Sequence, residues 1–172
     1  MTARVLVAGI GNIFFGDDGF GPAVAQRLAS ETIAEAHVAD FGIRGMHLAY
    51  ELLSGYAAAV LIDAVPRGGD PGTLYVIEPE PVQSGATPDA HRMDLESVFA
   101  CARMLGGEPP PVTIVGCEPA TIEDGIGLSS SVERAVEAAL PLVRRVVATV
   151  AAATADYPTA GIQPKETQWS KV

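Results

Sequence analysis

The sequence predicts an α/β fold, a three-layer α/β/α sandwich around a mostly parallel five-stranded sheet with one antiparallel strand. Three observations predict it. Short β-branched runs alternate with stretches whose apolar residues recur at helical spacing, as expected of a sheet covered by helices on both faces. The first run, Val5-Leu6-Val7-Ala8-Gly9, is continuous rather than alternating, which suits a strand buried on both sides. Only the eight residues Ala64 to Pro71 join the third and fourth runs, and a parallel crossover needs about a dozen or more, so the fourth strand runs antiparallel.

Each element has its own signal. Strand one spans residues 4–9 and is closed by glycine. Helix one covers about 20–30, with Pro22 in a first turn that tolerates it and Val24, Ala25 and Leu28 on one face. His37 to Asp40 reads as strand two. Met46, Leu48, Ala49, Leu52 and Leu53 then form the apolar face of helix two, which stops at Gly55. Strands three and four are Ala57 to Asp63 and Gly72 to Glu78. Leu95, Val98, Phe99, Ala102 and Leu105 define helix three, with Asp94 as cap and Gly106-Gly107 as stop. Strand five is Val112 to Cys117. Ser130-Ser131-Val132-Glu133 has capping-box spacing ahead of a helix four that runs to about 152, and the triple Ser129 to Ser131 reads as its cap.

The chain has 172 residues, which suits one domain, here 1–154. From 155 to 172 the Pro, Gly, Thr, Gln and Lys content lacks an apolar period, so a flexible tail is expected. Eleven basic against twenty-one acidic side chains give a net charge of −10, which repels phosphate backbones and anionic membrane faces and argues against nucleic-acid or membrane partners. Cys101 and Cys117 form no CxxC pair, so two free thiols in a reducing compartment are expected, each a small buried apolar residue. The N-terminal apolar run is too short for a membrane span and lacks a cleavage site, and a cytoplasmic monomer is the default expectation.

Polar residues gather where such sheets bind ligands, at the carboxyl ends of strands. Asp17 and Asp18 follow strand one, Asp40 ends strand two, Asp63 ends strand three, and His91 falls in the expected loop before helix three. Singly, each reads as a cap or a solvated turn. Val60-Leu61-Ile62, however, carries Asp63 straight out of a buried strand, where its carboxylate requires a proton, a donor or a cation. Two carboxylates and an imidazole suit a borderline divalent ion such as zinc, nickel or cobalt, and three protein ligands leave room for an outside one.

Gly9-Ile10-Gly11-Asn12 after a strand, with Asp40 ending strand two, invites a dinucleotide reading and hence a nucleotide-dependent binding protein or reductase. The third glycine of that fingerprint is Phe14 here, and Asp17-Asp18 would place negative charge where a pyrophosphate binds. No G-x-S-x-G elbow occurs, and Cys101 lies mid-helix, so neither a serine nor a cysteine nucleophile is supported.

Taken in order, Gly9-Ile10-Gly11-Asn12, Asp17-Asp18-Gly19-Phe20-Gly21, Asp40-Phe41-Gly42, Ile62-Asp63-Ala64, Pro71-Gly72-Thr73, His91 and Gly116-Cys117-Glu118-Pro119 resemble the nickel-iron hydrogenase maturation endopeptidases over about residues 4–150. The resemblance implies a phosphorylase/hydrolase-like fold and an endopeptidase that removes the C-terminal extension of the hydrogenase large-subunit precursor. It also implies metal contacts at Asp18, Asp63 and His91, which double as the candidate catalytic residues. The metal so implied is nickel delivered by the precursor, with no organic cofactor. Asp18 stands where relatives often carry glutamate, leaving Asp17 to share or replace its role. Asp40 is a candidate base or peptide contact. A non-proteolytic metalloprotein chaperone using the same acidic rim is the other alternative.

Overall fold

The computed structural model describes residues 4–79 and 90–156, the side chains of 90–94 excepted. Its elements, in chain order, are β1 (Val5–Ile10), a 3-10 turn (Gly16–Gly19), α1 (Phe20–Leu28), β2 (Ala36–Gly42), α2 (Gly45–Leu52), β3 (Ala58–Ala64), β4 (Leu74–Ile77), α3 (Ala90–Met104), β5 (Val112–Cys117) and α4 (Ser130–Ala153). The sheet order is β2-β1-β3-β5-β4. All neighbours pair in parallel except β4 with β5, so the short link after β3 has the antiparallel consequence expected of it.

Side chains alternate across the sheet and build two cores. Val5 and Val7 of β1, with Val60 and Ile62 of β3, pack under Phe20, Val24 and Leu28 of α1 and Val136, Ala139 and Val143 of α4. Leu6, Ala8, Ala59 and Leu61 face the other way, under Leu48 and Leu52 of α2 and Val98 and Ala102 of α3. Both central strands are buried along their whole length, which is why their sequences are continuous apolar runs. The three-layer architecture is therefore as the sequence predicts.

Several local expectations are corrected. α3 begins at Ala90, before Asp94, so Asp94 is a helical residue rather than a cap and His91 lies in the first turn of the helix rather than in a loop. An apolar period detects a helix only where the helix covers the core, and this first turn carries none. Met46 is 59% exposed; it sits two residues before Leu48, about 200° round the helix from the buried face. Leu105, 41% exposed, follows the last residue of α3. Ser129 is the N-cap of α4 by backbone position, but neither it nor a capping box supplies a side-chain cap. The expected tail lies outside the described residues from 157 onward.

Candidate functional site

α1 reaches the sheet through two glycines. A side chain on Gly9 would meet the Gly21 carbonyl at 2.4 Å, and one on Gly21 would meet the Ile10 and Ile62 carbonyls, both at 2.2 Å. Backbone thus lies on backbone where α1 crosses the ends of β1 and β3. The 3-10 turn entering α1 is consequently held against β3.

The loop between β1 and this turn folds back on the strand end. Gly11 has φ +133°, a conformation L side chains rarely adopt, and its hydrogen faces the Asp18 carbonyl. Asp18, half-buried, accepts a hydrogen bond from the Asn12 main-chain N–H at 2.8 Å. That N–H is one a phosphate would need, and it is already taken by a carboxylate. The dinucleotide alternative loses its anchor at this point.

Asp63 is 8% exposed near the carboxyl end of β3, and it is not without an interacting partner. By strand alternation it turns to the face of Ala59 and Leu61, the face covered by α2 and α3. α3 carries His91 in its first turn, and the His91 side chain lies outside the described residues. Among the described residues, no group of three His, Cys, Asp or Glu side chains is arranged to hold a metal ion.

Asp40 belongs to the opposite face. It sits beside Gly9 in the register, accepts from Gln26 Nε2 of α1 at 3.0 Å, and accepts from the Gly42 N–H at 2.9 Å. Arg44 also donates to its main-chain carbonyl. The structure therefore brings the Asp18 turn against the strand of Asp63 and places Asp40 on the α1 side.

Two carboxylates missed as structural elements prove to be tie points. Asp17 is fully buried and accepts from the N–H groups of Ala120, Thr121 and Ser129 and from the Ser129 hydroxyl, at 2.8, 3.2, 2.6 and 2.9 Å. Burial raises its pKa, but the bonds from Ser129, Ala120 and Thr121 outweigh it and hold the carboxyl below its ordinary value. These bonds occupy the carboxylate, so Asp17 is not placed to share or replace the role expected of Asp18.

Glu118, 5% exposed, accepts from Arg67 N–H at 2.7 Å, Gly68 N–H at 3.1 Å and Tyr75 O–H at 2.9 Å, fixing the β3–β4 link. Here too burial raises the pKa and the hydrogen bonds more than reverse it. Burial, then the charges of Asp17 and Glu118, push the Cys117 thiol up to about 12, which removes it as a nucleophile near neutral pH. Cys117 is the buried apolar residue expected, whereas Cys101 is only half-buried, with its sulfur 3.2 Å from that of Met46.

An α/β sandwich binds its ligands in the crevice at the carboxyl ends of its parallel strands, and the acidic side chains Asp18 and Asp63 lie on that rim here. Residues 22–146 match the family model described as hydrogenase maturation protease. The hydrogenase 2 maturation protease of Escherichia coli is 31% identical over 144 residues, covering 81% of this chain and 88% of that protein. The hydrogenase expression/formation protein HupD of Rhizobium leguminosarum is 30% identical over 94% of this chain and 82% of its own length. The solved structure of the hydrogenase-maturating endopeptidase HybD from E. coli superposes with a TM-score of 0.71 at 28% identity, covering 85% of this chain and 93% of that one. The chain belongs to the hydrogenase maturation protease family and is a peptidase.

Proposed function

We propose that this protease removes the C-terminal extension of a nickel-iron hydrogenase large-subunit precursor once nickel has been inserted. Asp18, Asp63 and His91 meet the substrate-bound nickel, so that coordination licenses the cut and sets the scissile peptide against the rim. The metal is cargo of the precursor, and no organic cofactor takes part. The protein acts as a cytoplasmic monomer made of one domain, 1–154. Among the described residues, no helix is long and apolar enough to cross a membrane, in keeping with that setting.

The observation that carries the reading is the placement of two carboxylates. Asp63 lies buried near the carboxyl end of β3, and the turn bearing Asp18 is packed against that same strand. The surroundings suit a protein substrate. The loops after β1, β2 and β5 expose Phe14, Ile43 and Ile126 at 57, 75 and 78%, an apolar rim on a chain of net charge −10. For Asp40 we propose a contact with the substrate peptide rather than a metal contact, because its two carboxylate oxygens already accept from Gln26 and the Gly42 N–H.

The test is the intact mass of a cognate precursor, nickel-loaded or nickel-free, after incubation with the protein or its Asp63→Asn variant. Loss of a C-terminal peptide is expected only from loaded precursor with the unaltered protein. Equal cleavage of nickel-free precursor would sink the licensing step. An unchanged mass throughout would leave the non-proteolytic chaperone reading in its place.

A further inference from the structure

Asp17 takes no part in the function proposed above, yet it is the most deeply buried carboxylate described, with no exposed surface. A carboxylate offers about four lone-pair sites, and Asp17 accepts four hydrogen bonds, three on Oδ2 and one on Oδ1. The four donors lie 103 to 112 residues away in sequence, in the β5–α4 loop and at the start of α4. Main-chain bonds run beside them. Asp17 N–H donates to Thr121 at 3.1 Å, Gly16 N–H to Gly125 at 2.9 Å, and Gly125 N–H to Phe14 at 2.8 Å. Two rim loops are thus sewn together, and the Asp17 carboxylate holds both ends of the seam, Ala120-Thr121 and Ser129.

The turn that bears Asp18 has little of its own to hold it. It is a four-residue 3-10 segment without a side-chain cap, and so short a helix is marginal unless tertiary contacts fix it. Asp17 supplies such contacts one residue before Asp18. We propose that Asp17 is a positioning residue: it clamps the β5–α4 loop to the 3-10 turn and thereby fixes where the Asp18 carboxylate stands at the rim. The proposal rests on the reading that Asp18 meets the substrate. The clamp itself does not depend on that reading, and the experiment treats the two separately.

The clamp is read first by amide hydrogen exchange on the unliganded protein, for Asp17→Asn, Ser129→Ala and Ser129→Thr. Asparagine turns an NH2 toward main-chain donors, and alanine removes the hydroxyl donor while leaving the three N–H groups. Exchange in 12–19 and 120–129 should rise together, about tenfold for Asp17→Asn and about threefold for Ser129→Ala, with β1 and β3 unchanged and Ser129→Thr restored. Cleavage of nickel-loaded precursor is read second. kcat should fall by about tenfold or more in Asp17→Asn and about threefold in Ser129→Ala, with KM within about twofold and recovery in Ser129→Thr, because alignment is steep in distance while docking is spread over several loops. Should Asp17→Asn not fold, the serine pair carries the test. Unchanged exchange overturns the clamp, and loosened loops with unchanged kcat overturn the positioning role. Failure of the unaltered protein to cleave any precursor refutes the functional reading, and with it the positioning role, while the exchange data still decide the clamp.

Discussion

Replacing Gly21 by alanine sets two effects of known size against each other. Alanine favours a helix over glycine by at most about 1 kcal/mol, so propensity alone predicts a more stable protein. The Cβ would, however, stand 2.2 Å from two carbonyl oxygens, those of Ile10 and Ile62, where ordinary contact begins at 3.4 Å. Neither neighbour is a side chain that can rotate away, so α1 must back off by about 1.2 Å over the ends of β1 and β3. Overpacking of this kind costs about 1–3 kcal/mol, and two rigid backbone contacts place it at the upper end. The expected net loss is about 2 kcal/mol, or about 4–8 °C in Tm for a chain of this size. Gly45→Ala, at the start of α2, is the control, since its new Cβ meets only the Val98 side chain, at 3.3 Å. Urea unfolding at matched m-values reads both variants. The reasoning is refuted if Gly21→Ala proves as stable as Gly45→Ala. The same displacement carries the Asp18 turn away from β3, so precursor cleavage by Gly21→Ala should fall below that of the control.

Glu118→Gln should lose about 1–3 kcal/mol at pH 7, because an amide cannot accept from Arg67, Gly68 and Tyr75 together. The folded pKa of Glu118 lies below its ordinary 4.5, so its stabilisation is full above that value and is lost as pH falls through the folded pKa. Acid unfolding curves of parent and variant should therefore draw together as pH falls below 4.5 and through the folded pKa, and a gap that stays constant to low pH would contradict the hydrogen-bond account. Iodoacetamide at pH 8 should alkylate Cys101 in the folded protein and spare Cys117, whose thiol is buried and pushed up to about 12. Peptide mapping checks this, and a Cys117 adduct without unfolding would count against it. Arg144→Ala, which removes the exposed pair with Glu31, should change stability by less than about 1 kcal/mol in the same urea assay.

The fold was legible because most of its determinants are local in sequence. Val112–Cys117 forms a strand with the predicted bounds, and the antiparallel β4 followed from the length of one link. Misreadings fell where local pattern and tertiary burial part company. The apolar period of α3 starts at Leu95, but the helix starts at Ala90, because its first turn carries no apolar period to detect. Met46 is apolar and helical yet exposed, since spacing and not residue type decides which side of α2 meets the sheet.

The site was legible only as a set of strand ends, and the limit is instructive at Asp17-Asp18. Two adjacent aspartates in one glycine-rich loop have the same local sequence and opposite environments. Asp17 is buried because the β5–α4 loop, about a hundred residues on, brings three N–H groups and a hydroxyl to it. Among the described residues Asp18 meets a single N–H, from its own loop, and it stays half-exposed at the rim. No propensity or motif within reach of position 17 encodes those distant donors. A buried carboxylate can also be stable in water-free surroundings without any metal, provided main-chain N–H groups replace its hydration. Burial of an aspartate at a strand end is thus weak evidence for a cation by itself. The stronger discriminator is lone-pair occupancy: Asp17 accepts four hydrogen bonds from the protein and Glu118 accepts from Arg67, Gly68 and Tyr75, and both hold loops together, whereas Asp18, with one donor among the described residues, retains capacity to bind something from outside.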